Sequence, residues 1–502
     1  MIKIYIKDAE RVNDEKSAFV QFRYDPEAVK KIKTLPERYW NMETKMWEIP
    51  LSQIEPFQAL LPQERFEVEE VRYDKKIPEG FSFKKEPMPH QVEAIEYGLN
   101  HPGFLNGDQQ GLGKTFEALM TAEIRRQQEG LKHIMILCGV NSLRQNWKRE
   151  IQRFTGQDAC IIGERITRNG TIKAPSTADK LEDLKKIEQL PVYLILNIEA
   201  LRTQEITDLL SDLCVRQINM IIFDEMHKCK SPVSQSGKAL LRLNPKYKLA
   251  LSGTPLLNDP MDLYLFMRWI GVEQRTFWKF KEHHEIRKEI RLRQLDEEGR
   301  HIRRMIPVGF KNLDEVRRKM DHFMIRRLKE DVLDLPEKVY TTEYLEMETK
   351  QRKIYEEIYQ GLLDDVDKIK QSPNPLTSFI RLRQATADTS LVSTKVSESV
   401  KLDRMEDIVA ETVGNGEKIL IFSYYHEVAV NALKRLERYH PAQILQETKD
   451  PEAQKERFRT ETDVLVGTIG VMGTGHTLTE ATTVLFLDQP WTSGDLEQAE
   501  DR

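Results

Sequence analysis

The chain has 502 residues, 39 % of them hydrophobic, enough for two or three domains with cores of their own. Lys plus Arg number 76 against 81 Asp plus Glu; the net charge of -5 excludes a global cationic field, so any nucleic-acid surface has to be a local groove. Four widely spaced cysteines, Cys138, Cys160, Cys214 and Cys229, with no Cys-x-x-Cys pair, argue against structural zinc, a metal cluster and a disulfide framework; the absence of any long apolar run argues against a membrane span, and the chain is expected to be intracellular.

In chain order, residues 1–80 mix alternating stretches (IKIYI, AFVQFRY) with an amphipathic segment after Pro26 and predict a small α+β module. From 81 to about 270, short apolar runs (HIMILC, VYLILN, MIIFDE, YKLALSG) alternate with charged helical patterns, as in a parallel sheet covered on both faces. Residues 271–400 read as a helical insertion and linker: strands vanish from about 257, the run KEHHEIRKEIRLRQLDEEGRHIRRM has helical periodicity, and QSPNP marks a turn. Residues 401–502 repeat the first pattern with KILIFS, DVLVGT and TVLFLD, so the fold class is α/β with two similar lobes.

Two motifs carry the chemistry. In DQQGLGKT, Asp108 to Thr115, the glycines Gly111 and Gly113 let backbone N–H groups converge on phosphates, Lys114 reaches the β and γ oxygens, and the Thr115 hydroxyl is offered to Mg²⁺; Asp108 stands where the strict pattern has Gly. About a hundred residues later MIIFDEMH ends an apolar strand with Asp224, a carboxylate for the metal's shell, and Glu225, a group to orient an attacking water. Together they predict a nucleoside-triphosphate hydrolysis site using ATP and Mg²⁺.

Read outward from these motifs, residues 85–502 resemble the Snf/Swi-type DNA translocases of helicase superfamily two, whose two RecA-like lobes open and close on a nucleotide. The resemblance implies that Gln91 in MPHQVEAIEYGL senses adenine. It implies that Asn141, Ser142, Arg144, Asn146, Trp147 and Lys148 in LCGVNSLRQNWKREIQRF grip the tracked strand, the polar, cationic and aromatic mixture a phosphate backbone needs. LILNIEALR is a further contact segment, and Ser252, Gly253 and Thr254 in KLALSGTPLLND couple nucleotide to DNA. FMIRRLKEDVLDLPEK is the most family-specific string, FIRLRQATAD supports the same resemblance, and Gly473, Gly475, Thr477 and Trp491 are the contact positions expected in lobe two. Phe22 to Pro50 is similar to the HARP-type domain of annealing helicases, which implies a DNA-facing surface of Lys33, Arg38, Tyr39, Trp40, Lys45 and Trp47; alternatively the aromatic residues form the module's own core.

The sequence closes with DLEQAEDR. The resemblance implies a further arginine beyond Arg502, an incomplete second lobe, and weak hydrolysis by this chain, since an arginine finger contributes about 10³–10⁵ in rate. Two functions follow as expectations: an ATP-dependent translocase or annealing-type remodeller of duplex, forked or single-stranded DNA in repair, recombination or replication, in the cytoplasm or at the nucleoid; or a DNA- and ATP-binding fragment that regulates without hydrolysing.

Overall fold

The computed structural model of the chain describes all residues except 1, 9–15, 23, 42–44, 71–74, 140–142, 167–171, 174, 254–258, 296–300, 335–337, 365–375, 473–477, 479 and 501–502. It divides into two compact units, Met1–Asp334 and Leu335–Arg502.

The first unit opens with a five-stranded sheet built from β1 (Ile2–Asp8), β2 (Lys16–Gln21), β3 (Tyr39–Asn41), β4 (Met46–Pro50) and β5 (Phe66–Glu70), in the order β3-β4-β2-β1-β5. Alternation along β1 turns Ile2 and Ile4 to one face, where they pack with Ala18, Val20 and Ile49 against Ala28 and Ile32 of helix α1 (Pro26–Ile32) and Phe57 of helix α2 (Ile54–Ala59). Helix α1 starts where it does because the Asp25 carboxylate accepts from the backbone N–H of Glu27 at 2.8 Å and Pro26 occupies the first turn.

Helix α3 (Pro89–Asn100) leads into a seven-stranded, fully parallel sheet. Its strands are β6 (Gly103–Asn106), β7 (His133–Cys138), β8 (Ala159–Ile161), β11 (Tyr193–Asn197), β12 (Ile218–Asp224), β13 (Tyr247–Leu251) and β16 (Met324–Ile325), while β9 (Arg165–Ile166) and β10 (Ile172–Lys173) form a small separate ladder. The order β16-β6-β13-β12-β7-β11-β8 puts the C-terminal ends of β6, β13, β12 and β7 side by side, the edge at which open α/β sheets bind ligands. Both faces are buried: Leu105, Met135, Leu137, Ile221 and Phe223 fill one core, and their chain neighbours Phe104, Ile134, Ile136, Met220 and Ile222 fill the other. Helix α4 (Lys114–Glu129) follows the glycine-containing loop after β6, and helix α5 (Leu143–Thr155) follows β7.

The segment expected to lack strands carries a long antiparallel hairpin, β14 (Glu285–Leu295) with β15 (His301–Phe310), in place of the helix read from KEHHEIRKEIRLRQL. The spacing of its cations was a poor guide, because solvated charges suit either conformation. Ile286, Ile290, Ile302 and Ile306 are β-branched, and Pro307 is barred from a helix interior but tolerated in a two-stranded ribbon. Helices return at Leu313–Phe323, Thr349–Asp364 and Leu376–Ala387.

The second unit contains a four-stranded parallel sheet, β17 (Ile419–Ser423), β18 (Ala442–Ile444), β19 (Val464–Thr468) and β20 (Thr483–Phe486), in the order β18-β19-β17-β20. Ile419, Ile421, Val464 and Val466 are buried on one face, Leu420, Phe422, Ile444 and Leu465 on the other. Among the described residues no helix is long and apolar enough to cross a membrane.

Candidate nucleotide site and nucleic-acid surface

The loop after β6 takes its shape from two glycines in the left-handed region, Gly111 at φ +90° and Gly113 at φ +95°. A Cβ on Gly113 would lie 2.3 Å from Gln91 Nε2, so both its conformation and its surroundings require glycine. Gln91 is buried: its Nε2 donates to the Leu112 carbonyl at 3.0 Å and its Oε1 accepts from the Met88 N–H at 3.1 Å, while a His90 ring nitrogen meets the same Leu112 oxygen at 3.1 Å. The side chain expected to sense adenine therefore has both amide ends engaged by main chain, and it braces the loop crest. Thr115 stands in the first turn of α4, and Lys114 Nζ donates to the carbonyls of Asp108 at 2.6 Å and Gln109 at 3.2 Å. Burial lowers the Lys114 pKa, and the carboxylates of Glu225, Glu117, Asp108 and Asp224 oppose that shift.

Asp108, the first residue of the loop motif and expected with it to bind the nucleotide, turns its side chain inward. Its carboxylate is fully buried and pairs with Arg327, which explains why Asp replaces Gly there.

Asp224 closes β12. Its Oδ2 accepts from the indole N–H of Trp147 at 2.7 Å and its Oδ1 from the Glu225 backbone N–H at 2.9 Å. Burial first, and the charge of Glu225 second, push its pKa up to about 7, with Trp147 and Lys114 favouring the ionised form. Glu225 is held at φ +51°, an uncommon conformation for a residue with a side chain. Its Oε2 lies 3.2 Å from His227 Nδ1, and the same nitrogen is 3.3 Å from Ser252 Oγ. Gly139, after β7, was not singled out from sequence: a Cβ there would fall 2.9 Å from the Glu225 carbonyl oxygen, so this glycine admits the carboxylate turn. Gly253 backs onto Lys114, whose Nζ would be 3.6 Å from a Cβ at that position.

Two residues expected to touch DNA are buried instead. Trp147 shares the inward stripe of α5 with Leu143, Ile151 and Phe154, and its polar edge serves Asp224; Ser252 faces His227. On the other side of α5, Lys148 is exposed and Arg144 and Asn146 are half-buried. Ser142, Thr254, Gly473, Gly475, Thr477 and Arg502 lie outside the described residues. In the second unit Trp491 is exposed, with the Arg383 guanidinium 4.1 Å from its ring centre. In the N-terminal module Trp40 and Trp47 face each other across β3 and β4 with ring centres 5.1 Å apart. Trp40 is 39 % exposed and Trp47 packs partly on the module's core, with Lys33, Arg38 and Lys45 exposed nearby in sequence.

Sequence reasoning missed a cationic cavity of about 670 Å³ beside the carboxylate turn, lined by Arg202, His227, Lys228, Lys230, Ser231 and Ser234 among others. The signal was present in HKCKS, directly after Asp224 and Glu225, where two lysines follow the carboxylate turn. A third group, His283, His284 and Glu315, gathers ligand-type atoms, but Glu315 is already paired with Arg275 and with Lys319 at 3.2 Å, so it forms an ionic knot.

The site can hold a nucleoside triphosphate with a divalent cation. Glycines clear a cradle at a helix N-terminus, a half-buried lysine and a hydroxyl lie on it, and the two carboxylates of the turn after β12, Asp224 and Glu225, are among those that interact electrostatically with that lysine. Comparison with known proteins agrees in kind. The pattern of the SNF2-related domain matches residues 38–391, and that of the helicase conserved C-terminal domain matches residues 400–502. The chain is 26 % identical over 429 residues to a Caenorhabditis elegans SWI/SNF-related matrix-associated actin-dependent regulator of chromatin subfamily A-like protein 1 homolog, covering 83 % of this chain and 56 % of the relative. It is 24 % identical over 431 residues to the Bos taurus DNA annealing helicase and endonuclease ZRANB3, covering 83 % and 37 %. It thus spans about half, or less, of the length of these relatives. Among solved structures, the Sulfolobus solfataricus SWI2/SNF2 ATPase core in complex with dsDNA is similar at 20 % identity and a TM-score of 0.41, covering 83 % of this chain and 84 % of that one.

Proposed function

The chain belongs to the SNF2-related family, and on that premise we propose that it is a DNA-dependent ATP hydrolase that moves along or remodels duplex or branched DNA, in the manner of an annealing helicase. The observation that carries the reading is that the loop after β6, which bears Lys114 and Thr115, and the turn after β12, which bears Asp224 and Glu225, stand at the same edge of one parallel sheet with only β13 between them, close enough for both carboxylates to act on Lys114. ATP with Mg²⁺ would supply the transferable phosphoryl group and the charge that neutralises its oxygens.

The chain's own groups do the rest. Lys114 would exchange the carbonyls of Asp108 and Gln109 for phosphate oxygens, the Thr115 hydroxyl and Asp224 would hold the metal, and Glu225, in its left-handed turn, would orient the water. His227 Nδ1 lies between Glu225 Oε2 and Ser252 Oγ, so one ring nitrogen sets the residue after β13 close to the hydrolytic carboxylate. DNA phosphates are met by Arg144 and Lys148 on α5 and by Arg202 and Lys228 in the neighbouring cavity. Trp40 supplies a stacking surface on the N-terminal module for an unpaired base, and Trp491 with Arg383 a second aromatic and cationic site.

Glu225→Gln tests the roles. Hydrolysis should fall by about 10²–10⁴-fold while nucleotide affinity stays near that of the parent, because the amide keeps the shape but cannot take a proton. Unchanged turnover would remove Glu225 from the mechanism.

A further inference from the structure

We propose that Arg327 is a positioning residue of the nucleotide site, acting through Asp108 to set the phosphate loop and the resting place of Lys114. The inference rests on the nucleotide reading of that loop. Segment 324–329 is joined to residues 106–109 by main chain and side chain together. Strand β16 extends the sheet beside β6; the Gly107 N–H donates to the Ile325 carbonyl at 2.8 Å, and the Gln109 N–H to the Arg327 carbonyl at 2.9 Å. Gln109 Oε1 in turn accepts from the Lys329 N–H at 2.7 Å.

Within this frame the Asp108 carboxylate, fully buried, receives the Arg327 backbone N–H at 2.9 Å and the guanidinium through Nε, at 3.2 and 3.1 Å, and through Nη2. Such a charge is tolerated in the interior only when paired and hydrogen-bonded. The backbone carbonyl of the same residue holds Lys114 Nζ at 2.6 Å, so one residue joins Arg327 to the lysine that must move onto phosphate. Glu117, a second buried carboxyl, lies 3.5 Å from Nη2 and accepts from Asn106 Nδ2 at 2.5 Å. The segment then runs on to Asp334, the last residue of the first unit, so the phosphate loop and the chain's exit from that unit are one connected piece.

The test is equilibrium binding of a fluorescent ADP analogue to the full 502-residue chain, comparing wild type, Lys114→Ala, Arg327→Gln, Arg327→Lys and the double variant Asp108→Asn with Arg327→Gln. Thermal melting is followed in parallel. Arg327→Gln should weaken binding about tenfold or more in protein that is still folded, Arg327→Lys less, and the double variant should recover part of the loss because the stranded charge is gone. A purely structural pair would lower the melting temperature and leave affinity alone. Affinity within about twofold of wild type in Arg327→Lys and in folded Arg327→Gln overturns the proposal. If Arg327→Gln does not fold, Arg327→Lys and the double variant decide by the same comparison. Wild type binding no better than Lys114→Ala would instead overturn the nucleotide reading, and the role of Arg327 with it.

Discussion

An indole N–H aimed at a carboxylate decides which of its oxygens is committed and which lone pairs remain for a metal. Trp147 commits Asp224 Oδ2 in this way, and the Glu225 N–H commits one lone pair of Oδ1. Because the indole bond favours the ionised form of a carboxyl already pushed up to about 7, Trp147→Phe should raise that pKa further. The variant should lose about tenfold in kcat, the worth of a hydrogen bond to a charged group, and the acid limb of its rate–pH profile should move to higher pH. Its KM for DNA should not change; a variant with normal kcat and weakened DNA binding would return Trp147 to the strand-gripping role. Lys114, Thr115, Asp224 and Glu225 could be singled out in the sequence because phosphate and metal chemistry restricts residue type and spacing. Trp147 was misread although Leu143, Trp147, Ile151 and Phe154 form an apolar helical stripe in the sequence: the polar neighbours outweighed the periodicity. Asp108 could be seen as an exception to the loop pattern, but its partner lies 219 residues away, and no local signal names it.

At the scale of elements, parallel strands were the most readable feature, since runs such as HIMILC are buried throughout and their alternate residues divide between two cores. The β14–β15 hairpin was the least readable, because exposed charges dominate its composition and its main contact outside itself is the helix Phe277–His284. Its base is secured: Glu285 meets Lys281 at 3.1 Å and Arg287 at 2.7 Å, and the Lys311 N–H donates to the His284 carbonyl at 2.8 Å. Replacing residues 288–308 by a short Gly-Ser link should therefore leave the melting temperature within about 3 °C of wild type, equivalent to roughly 1 kcal/mol. A loss beyond about 10 °C would mean that the hairpin supports the core of the lobe. In the N-terminal module Phe19 and Phe57 are buried and Trp47 packs partly on the core, while Trp40, lying against Trp47, stays exposed at the surface.

At the scale of the whole molecule, each unit carries a parallel sheet. Two lobes of one kind were legible in the sequence because the strand-and-helix alternation occurs twice. The division at Asp334 was not, since the segment before it joins the first sheet as a two-residue edge strand, too short to leave a pattern. Whether this chain couples ATP hydrolysis to DNA is decided by steady-state ATP turnover of the 502-residue protein with and without forked, duplex and single-stranded DNA, beside Lys114→Ala. Turnover should be stimulated by DNA and absent from the Lys114 variant. Binding of ATP and DNA with turnover no higher than the variant's would contradict that coupling, and would mark the chain as a non-hydrolysing DNA- and ATP-binding module.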